Sequence, residues 1–270
     1  FYLSALICYI QYMRNSKWQY LLASVVSSIL AMGCKEQSVI IVPCLLLFDW
    51  MLFKRNMRSL KVYIEKVYYL IPAIAIFIVT LVANKNTGEE IIGYTIVDRF
   101  IFLCYSSFKY LLISAIPFKL SYLYPFPFQV GEKIPMALWI YPFVILFIGY
   151  VIYLNRRKPL LVFCTLFFIL HLLPVLHVIP LPRYVVAADR YLYIPYIAFA
   201  IGLSILSYHL YERQRKWILY AGFLYCSYLC VYTAGYAPAW KNSDTLKEHF
   251  KEVLKKRETN LSINFKHEKQ

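Results

Sequence analysis

Apolar residues in this chain fall in long continuous runs rather than in the strict alternation of a half-buried strand. The runs are Phe1–Met13, Trp18–Gly33, Gln37–Phe53, Val67–Ala83, Phe100–Ile116, Ala137–Leu154, Pro159–Ile179, Tyr191–Tyr211 and Trp217–Tyr236. Most approach the ~20 residues that cross a hydrocarbon core. Only helices and closed barrels satisfy every backbone group in lipid, and continuous runs indicate helices. The pattern therefore predicts an all-α, polytopic helical membrane protein, with about eight spanning helices set by that length rule. Residues 1–236 form its transmembrane domain and residues 237–270 a polar tail.

One run breaks the series. Phe100–Ile116 carries Lys109 in its middle and is followed by Pro117. Lysine and arginine collect in loops 14–17, 54–66, 155–158 and 212–216, which places those loops in the cytoplasm. Strict alternation would put 155–158 outside if 100–116 crossed fully. The expectation is instead that 84–136 stays extracytoplasmic, with 100–116 interfacial or re-entrant, a placement that also suits Lys109. Lys54–Lys66 is expected to lie along the surface. Lys35-Glu36, the segment 84–136, the loop ending in Asp189-Arg190 and the tail then share one extracytoplasmic face.

Composition agrees with a membrane protein, at 61% hydrophobic and 19% aromatic residues. The net charge of +15 would suggest nucleic acid in a soluble chain, but here topology and anionic headgroups account for much of it. The seven cysteines form no CxxC pair, which favours small buried hydrophobes over a metal or redox site. The chain opens at Phe1 inside an apolar run with no signal-peptide pattern, so a longer parent protein is expected.

Candidate chemistry centres on Ala187–Pro195, which reads AADRYLYIP. Asp189 and Arg190 stand directly before an apolar run, where a charge pair is costly without a role or a partner. Arg190 offers a planar fork of donors that matches a phosphate bidentately. Tyr191 and Tyr193 are amphipathic rings suited to the headgroup level. The simpler alternative is that Asp189 and Arg190 pair with each other and anchor a helix end. Lys35 could meet a phosphate, and Glu36 could orient a sugar hydroxyl, a metal or Lys35 itself; a plain polar turn is the competing account. Tyr122, Tyr124, Pro125 and Pro127 could form a stiff aromatic wall for a sugar or an isoprenoid chain. His171 and His177 lack the spacing of a helical metal pair, and no motif implies a cofactor or a divalent metal.

Four segments, in order, carry a family resemblance. Lys35-Glu36 and the Pro-interrupted run ending Phe48-Asp49-Trp50 resemble an "SKE…P…LLLYDW" region. Asp98-Arg99-Phe100 through Pro117, then Leu120-Ser121-Tyr122 and Tyr124-Pro125, is similar to a "…YL…PLGLSPDYP" segment. Ala188–Pro195 is similar to "AERYLYLP" or "ADRYLYLP", and Ala239-Trp240-Lys241-Asn242-Ser243 with Leu246 to "VWRDSETLW". These belong to the transmembrane and tetratricopeptide-repeat O-mannosyltransferases and their bacterial relatives. The resemblance implies a GT-C type glycosyltransferase in a bacterial inner membrane, moving a sugar from a polyprenyl-phosphate carrier to a protein or glycan acceptor outside the cytoplasm. It implies that Arg190 holds the donor phosphate with Lys35 as second cation, and that Glu36, Asp189, Tyr191 and Tyr193 shape the polar surroundings. The family's catalytic carboxylate lies in an amino-terminal loop ahead of the region matched, so no general base is named here. Its tetratricopeptide repeats have no counterpart in 237–270. The rival readings are a transporter or flippase for a lipid-linked sugar, and a non-catalytic membrane scaffold.

Overall fold

The computed structural model describes residues 1–84, 93–118, 120–177, 185–214, 216–251 and 255. Residues 85–92 of the expected loop 84–99, the segment 178–184, the Glu36 side chain and the tail beyond 251 apart from 255 lie outside them. Among the described residues the chain is all helical, and the only ladder contact is an isolated antiparallel bridge between Tyr124 and Ala187.

The helices are α1 (Tyr2–Asn15), α2 (Trp18–Cys34), α3 (Ile41–Met51), α4 (Leu60–Asn84), α5 (Ile96–Ala115), α6 (Ile140–Leu154), α7 (Pro159–Leu172), α8 (Pro195–Gln214) and α9 (Lys216–Tyr236). Local chemistry explains where several of them begin. Thr95 and Asp98 form a reciprocal capping box, so α5 starts ahead of Phe100, where the apolar run alone would place it. Pro159 and Pro195 open α7 and α8, where a missing N–H costs nothing. Asp189–Leu192 is consequently a short 3-10 turn leading to α8, and not the first turn of that helix. Pro43 sits in the first turn of α3, after a 3-10 turn over Glu36–Ile40. There it shapes a helix start rather than interrupting a crossing.

Helices α1 and α2 form a tight hairpin closed by Ser16 in the left-handed region, at φ 54°. Small residues let the backbones approach: buried Ser24 donates to the Ala5 carbonyl at 2.7 Å and accepts from the Tyr69 hydroxyl at 2.8 Å, linking α2 to α1 and α4. The core between α1, α3, α4, α5 and α7 is filled by large side chains such as Tyr9, Tyr69, Phe102, Tyr110 and Leu45.

The apolar character of the helices extends beyond this core. Leu60–Thr80, Met136–Leu154 and Trp217–Trp240 are long and apolar enough to cross a membrane, and Trp18–Cys34, Gln37–Met51 and Pro159–Val175 are shorter apolar helices. Only 6% of the Met136–Leu154 window and none of Trp217–Trp240 is buried, so their apolar side chains face outward. Exposed apolar surface on that scale marks an interaction with lipid or another apolar phase rather than water. Cys226 and Cys230 belong to this outer surface, whereas Cys44, Cys104 and Cys164 are in the core.

One expectation about a basic segment is overturned. Residues 60–66 do not lie along a surface, because α4 starts at Leu60 and turns Glu65 and Lys66 inward, 6% and 3% exposed. Lys66 Nζ meets Asp49 Oδ2 at 2.6 Å, and Asp49, fully buried, also accepts from the Tyr9 hydroxyl at 2.6 Å. Arg55, from the loop before α4, bonds Glu65 at 2.6 Å and reaches Asp49 at 3.4 Å, while the Tyr12 hydroxyl donates to Glu65 at 3.1 Å. Two acids and two bases thus neutralise one another across α1, α3 and α4. Acid–base pairing makes burial of these charges tolerable.

Candidate functional site

A cleft of about 900 Å³ opens at the other end of α1, where Tyr2 lies on its wall. Tyr2 is seven to ten residues from Tyr9 and Tyr12 of the charge network, or ~10–15 Å along the helix axis. The turn after α2 supplies Lys35, Gln37 and Ser38, and the turn before α8 supplies Asp189, Arg190, Tyr191 and Tyr193. Lys35, Asp189, Arg190, Tyr191 and Tyr193, separated by up to 158 positions, therefore line one site.

The two cations converge on one ring. Lys35 Nζ stands 5.1 Å from the Tyr191 centroid, and the Arg190 guanidinium carbon 5.2 Å from it. Arg190 also lies 4.8 Å from the ring of Tyr122, which packs edge-on against Trp240 with centroids 5.9 Å apart. Cation–π contact with phenol rings holds the charges in place without neutralising them. Among the described residues Arg190 makes no ion pair with a carboxylate.

Asp189 does not pair with its neighbour. Its Oδ1 accepts from the Tyr124 hydroxyl at 2.8 Å, and its buried Oδ2 has no hydrogen bond. Burial pushes the Asp189 carboxyl up to about 6; the Tyr124 hydroxyl, the Ser121 N–H and the Lys109 charge act in the opposite direction. The helix-anchor account, in which Asp189 and Arg190 neutralise each other, has no such contact to stand on. Asp189 instead pins the turn to the segment before α6. Backbone bonds reinforce that junction: Tyr124 N–H donates to Ala187 and Val186 N–H to Tyr124, both at 2.9 Å. The Ala188 N–H adds a bond to the Tyr110 hydroxyl at 3.2 Å.

The other candidates take varied positions. Tyr124 is buried, with Lys109 Nζ 4.7 Å from its ring centroid, so it supports the site from behind rather than forming an exposed wall. Tyr122 does face Arg190. Tyr193 lines the cleft yet is 80% exposed. The Glu36 backbone opens the 3-10 turn beside Lys35.

Sequence reasoning missed several members. His171 lines the cleft, with its Nδ1 2.8 Å from the Phe167 carbonyl and its Nε2 2.7 Å from the Tyr2 hydroxyl. A carbonyl only accepts, so Nδ1 carries the proton; in the neutral ring Nε2 accepts from Tyr2. This histidine orients a phenol in the cleft, a role that metal-ligand spacing does not reveal. Lys109 was noticed as a topological oddity when its cost in an apolar run also marked a site. Trp240 stands in the fourth motif of the resemblance, but nothing local in the sequence pointed to its packing against Tyr122.

Helix α9 supports the site from a distance. The Tyr225 and Tyr228 hydroxyls donate to the carbonyls of Ala115 at 2.8 Å and Pro117 at 2.6 Å, and the Leu120 N–H donates to the Tyr232 hydroxyl at 2.9 Å. These tyrosines are three and four residues apart on one helix face and run along the segment that leads from α5 to Tyr122. Among the described residues no group of three or more His, Cys, Asp and Glu side chains is placed to hold a metal ion. Comparison of the chain with protein-family models, curated proteins and solved structures finds no match.

Proposed function

We propose that the protein acts in a GT-C type glycosyl transfer, taking a sugar from a polyprenyl-phosphate donor and passing it to a protein or glycan acceptor on the extracytoplasmic side of a membrane. The observation that carries this reading is the convergence of Lys35 and Arg190 on Tyr191, with the only nearby described carboxylate, Asp189, turned to Tyr124. The four ordered motifs of the sequence agree with it. In this reading Arg190 grips the phosphate through its planar fork and Lys35 adds a second charge, both favouring the negative charge that grows on the leaving phosphate. Tyr122 and Tyr191 hold the Arg190 guanidinium in place, while Asp189 and Tyr124 fix the turn that presents it. Glu36, next to Lys35 in the chain, is assigned in this reading the orienting of a sugar hydroxyl.

The finer membrane arrangement belongs to the same proposal. About eight crossings, each near the ~20-residue length rule, would leave the cleft at the extracytoplasmic surface. That sidedness puts the basic loops 54–61 and 155–158 in the cytoplasm.

The test is a transfer assay in membranes holding the protein, supplied with labelled polyprenyl-phosphate sugar and run beside an active enzyme of the same type. Labelled glycan on an acceptor, lost in Arg190→Ala, is the expected result. Binding of the donor with its sugar–phosphate bond intact, followed by its appearance on the opposite side, would replace transfer with transport.

A further inference from the structure

The chain does not leave the cleft where α9 ends. After the 3-10 turn Ala237–Trp240, residues 243–251 form a further helix. Asn242 caps it, its Oδ1 accepting from the N–H groups of Asp244 at 3.1 Å and Thr245 at 2.8 Å. Leu246, His249 and Phe250 are half-buried at the three- and four-residue steps of one face, while Asp244, Lys247, Glu248 and Lys251 are exposed. The covered face is seated on the turn that follows α9. Thr245 Oγ1 donates to the Ala239 carbonyl at 3.2 Å, and the His249 ring meets the Tyr236 ring edge-on with centroids 5.5 Å apart.

From Tyr236 two routes lead to the turn Asp189–Leu192. Tyr236 packs edge-on against Trp240 at 6.4 Å, Trp240 against Tyr122 at 5.9 Å, and the Tyr122 ring lies 4.8 Å from the Arg190 guanidinium carbon. The Tyr236 hydroxyl also stands near enough to Asp189 to act on its carboxyl. Both residues of the pair are thus reached from the one ring that His249 supports.

We propose that His249 is a positioning residue of the cleft: its ring, through Tyr236 and Trp240, holds the Tyr122 ring under Arg190, and the helix 243–251 is thereby part of the phosphate site. The proposal rests on the phosphate reading above and adds to that site a stretch of chain that does not line the cleft. Packing is the means, because the buried His249 Nδ1 makes no hydrogen bond. Edge-on ring pairs favour a limited range of separations and tilts, so a ring that loses its neighbour settles elsewhere and the next ring follows. Arg190 depends on that constancy. Its side chain is long, and a planar fork binds a phosphate bidentately only when it is aimed.

The experiment uses the whole chain in phosphatidylcholine nanodiscs, with two readouts. The concentration of geranyl phosphate that half-protects Lys35 from an amine-reactive label reports the phosphate site. The fluorine resonance of Trp240, in protein carrying 5-fluorotryptophan and assigned with Trp240→Phe, reports the ring chain without any ligand. His249→Ala should move the Trp240 resonance and raise the half-protecting concentration about three- to tenfold, the worth of one ring pair. His249→Phe, which keeps a ring, should restore both, and Lys247→Ala on the exposed face should change neither. A His249→Ala variant that unfolds more easily but keeps the wild-type protection and Trp240 resonance has lost a merely structural contact, and the proposal fails. It fails equally if His249→Phe behaves as His249→Ala, because packing is then not the means. If geranyl phosphate does not protect Lys35 in the wild type, the phosphate reading falls and this role with it; protection that is present but indifferent to His249→Ala overturns the role of His249 alone.

Discussion

Two polar clusters lie toward opposite ends of α1, and they solve the problem of charge in an apolar surrounding in opposite ways. At Asp49 the protein supplies both signs. Lys66 and Arg55 meet Asp49 and Glu65, and Tyr9 and Tyr12 take up further acceptor capacity. At Arg190 it supplies cations over aromatic rings and turns its carboxylate away. A network closed on itself has no use for a ligand, while two cations held over one ring beside an open cleft leave room for an anion. Buried charge alone, then, is a poor guide to a functional site. The balance of signs within the cluster separates the two cases.

The comparison is broken most directly at Asp49. Asp49→Ala takes away the close carboxylate partner of Lys66, leaving it the Tyr9 hydroxyl and a 3.9 Å contact with Glu65, and stranding one member of a buried pair costs about 3–5 kcal/mol. Replacing both, as Asp49→Leu with Lys66→Met, removes the stranded charge and should recover most of that loss. Denaturant unfolding in a mild detergent checks it. If Asp49→Ala is no more destabilising than a substitution in the cleft, the network is not the structural lock described here.

The two clusters were not equally legible. The cleft announced itself because Lys35 and the pair Asp189-Arg190 stand at the ends of apolar runs, and the basic loops gave the expectation that they share one face. The closed network has no such signature. Glu65 and Lys66 sit in a stretch whose other charges, Lys54, Arg58 and Lys61, read as a solvated basic segment. Only the inward turn of α4 separates them from their neighbours. Helix existence followed from apolar runs, but helix starts followed from capping chemistry, as Thr95 and Pro195 show. Asp189 takes a partner other than its sequence neighbour for a general reason. Sequence neighbours invite pairing on paper, yet a turn that offers a buried phenol at 2.8 Å gives the carboxylate a different partner.

Asp189 sharpens the comparison through pH. Its carboxyl is raised to about 6 from an ordinary value near 4, so the folded chain holds a proton that the unfolded chain has lost across that window. Stability from this group is therefore fully present below about pH 4, declines as pH rises towards 6 and is flat above it. The shift bounds the effect at about 3 kcal/mol, and partial exposure at the edge of the cleft reduces it. Asp189→Asn should flatten the wild-type decline between those pH values and fold normally at pH 7. An unchanged slope in the variant would show that Asp189 titrates as an ordinary surface acid.

Arg190 gives a smaller effect, and on binding rather than on folding. Hydrogen bonds to a charged group are worth ~1.5–3 kcal/mol, so Arg190→Ala should weaken binding of a lipid phosphate by roughly 10–150-fold with little change in unfolding. Arg190→Lys keeps the charge, loses the fork and should fall between the two. Lysine binding as well as arginine would restore the anchor reading, since either side chain can extend to an interface. Measuring both variants by phosphate-lipid binding and by unfolding separates the clusters: Asp49 moves stability, and Arg190 moves affinity.

The smallest expected effect tests how the open cleft is kept in shape. The last carbonyls of a helix have no partner within it, and α5 ends at Ala115 with Pro117 preventing continuation. The α9 tyrosines supply what is missing, with the Tyr228 hydroxyl donating to Pro117 O at 2.6 Å. Tyr228→Phe removes one neutral hydrogen bond and should cost about 1 kcal/mol, the size of a typical single bond. Its consequence for the site should exceed that figure. The freed segment leads within five residues to Tyr122, whose ring lies under Arg190. Tyr228→Phe is thus expected to shift Tyr122 and Arg190 together, measurable as a several-fold loss in lipid-phosphate binding at nearly unchanged stability. A parallel substitution at Tyr220, 69% exposed on the same helix, should change neither quantity. If the two variants behave alike, the α9 hydroxyls are incidental, and the cleft is shaped by the Tyr124–Ala187 junction alone.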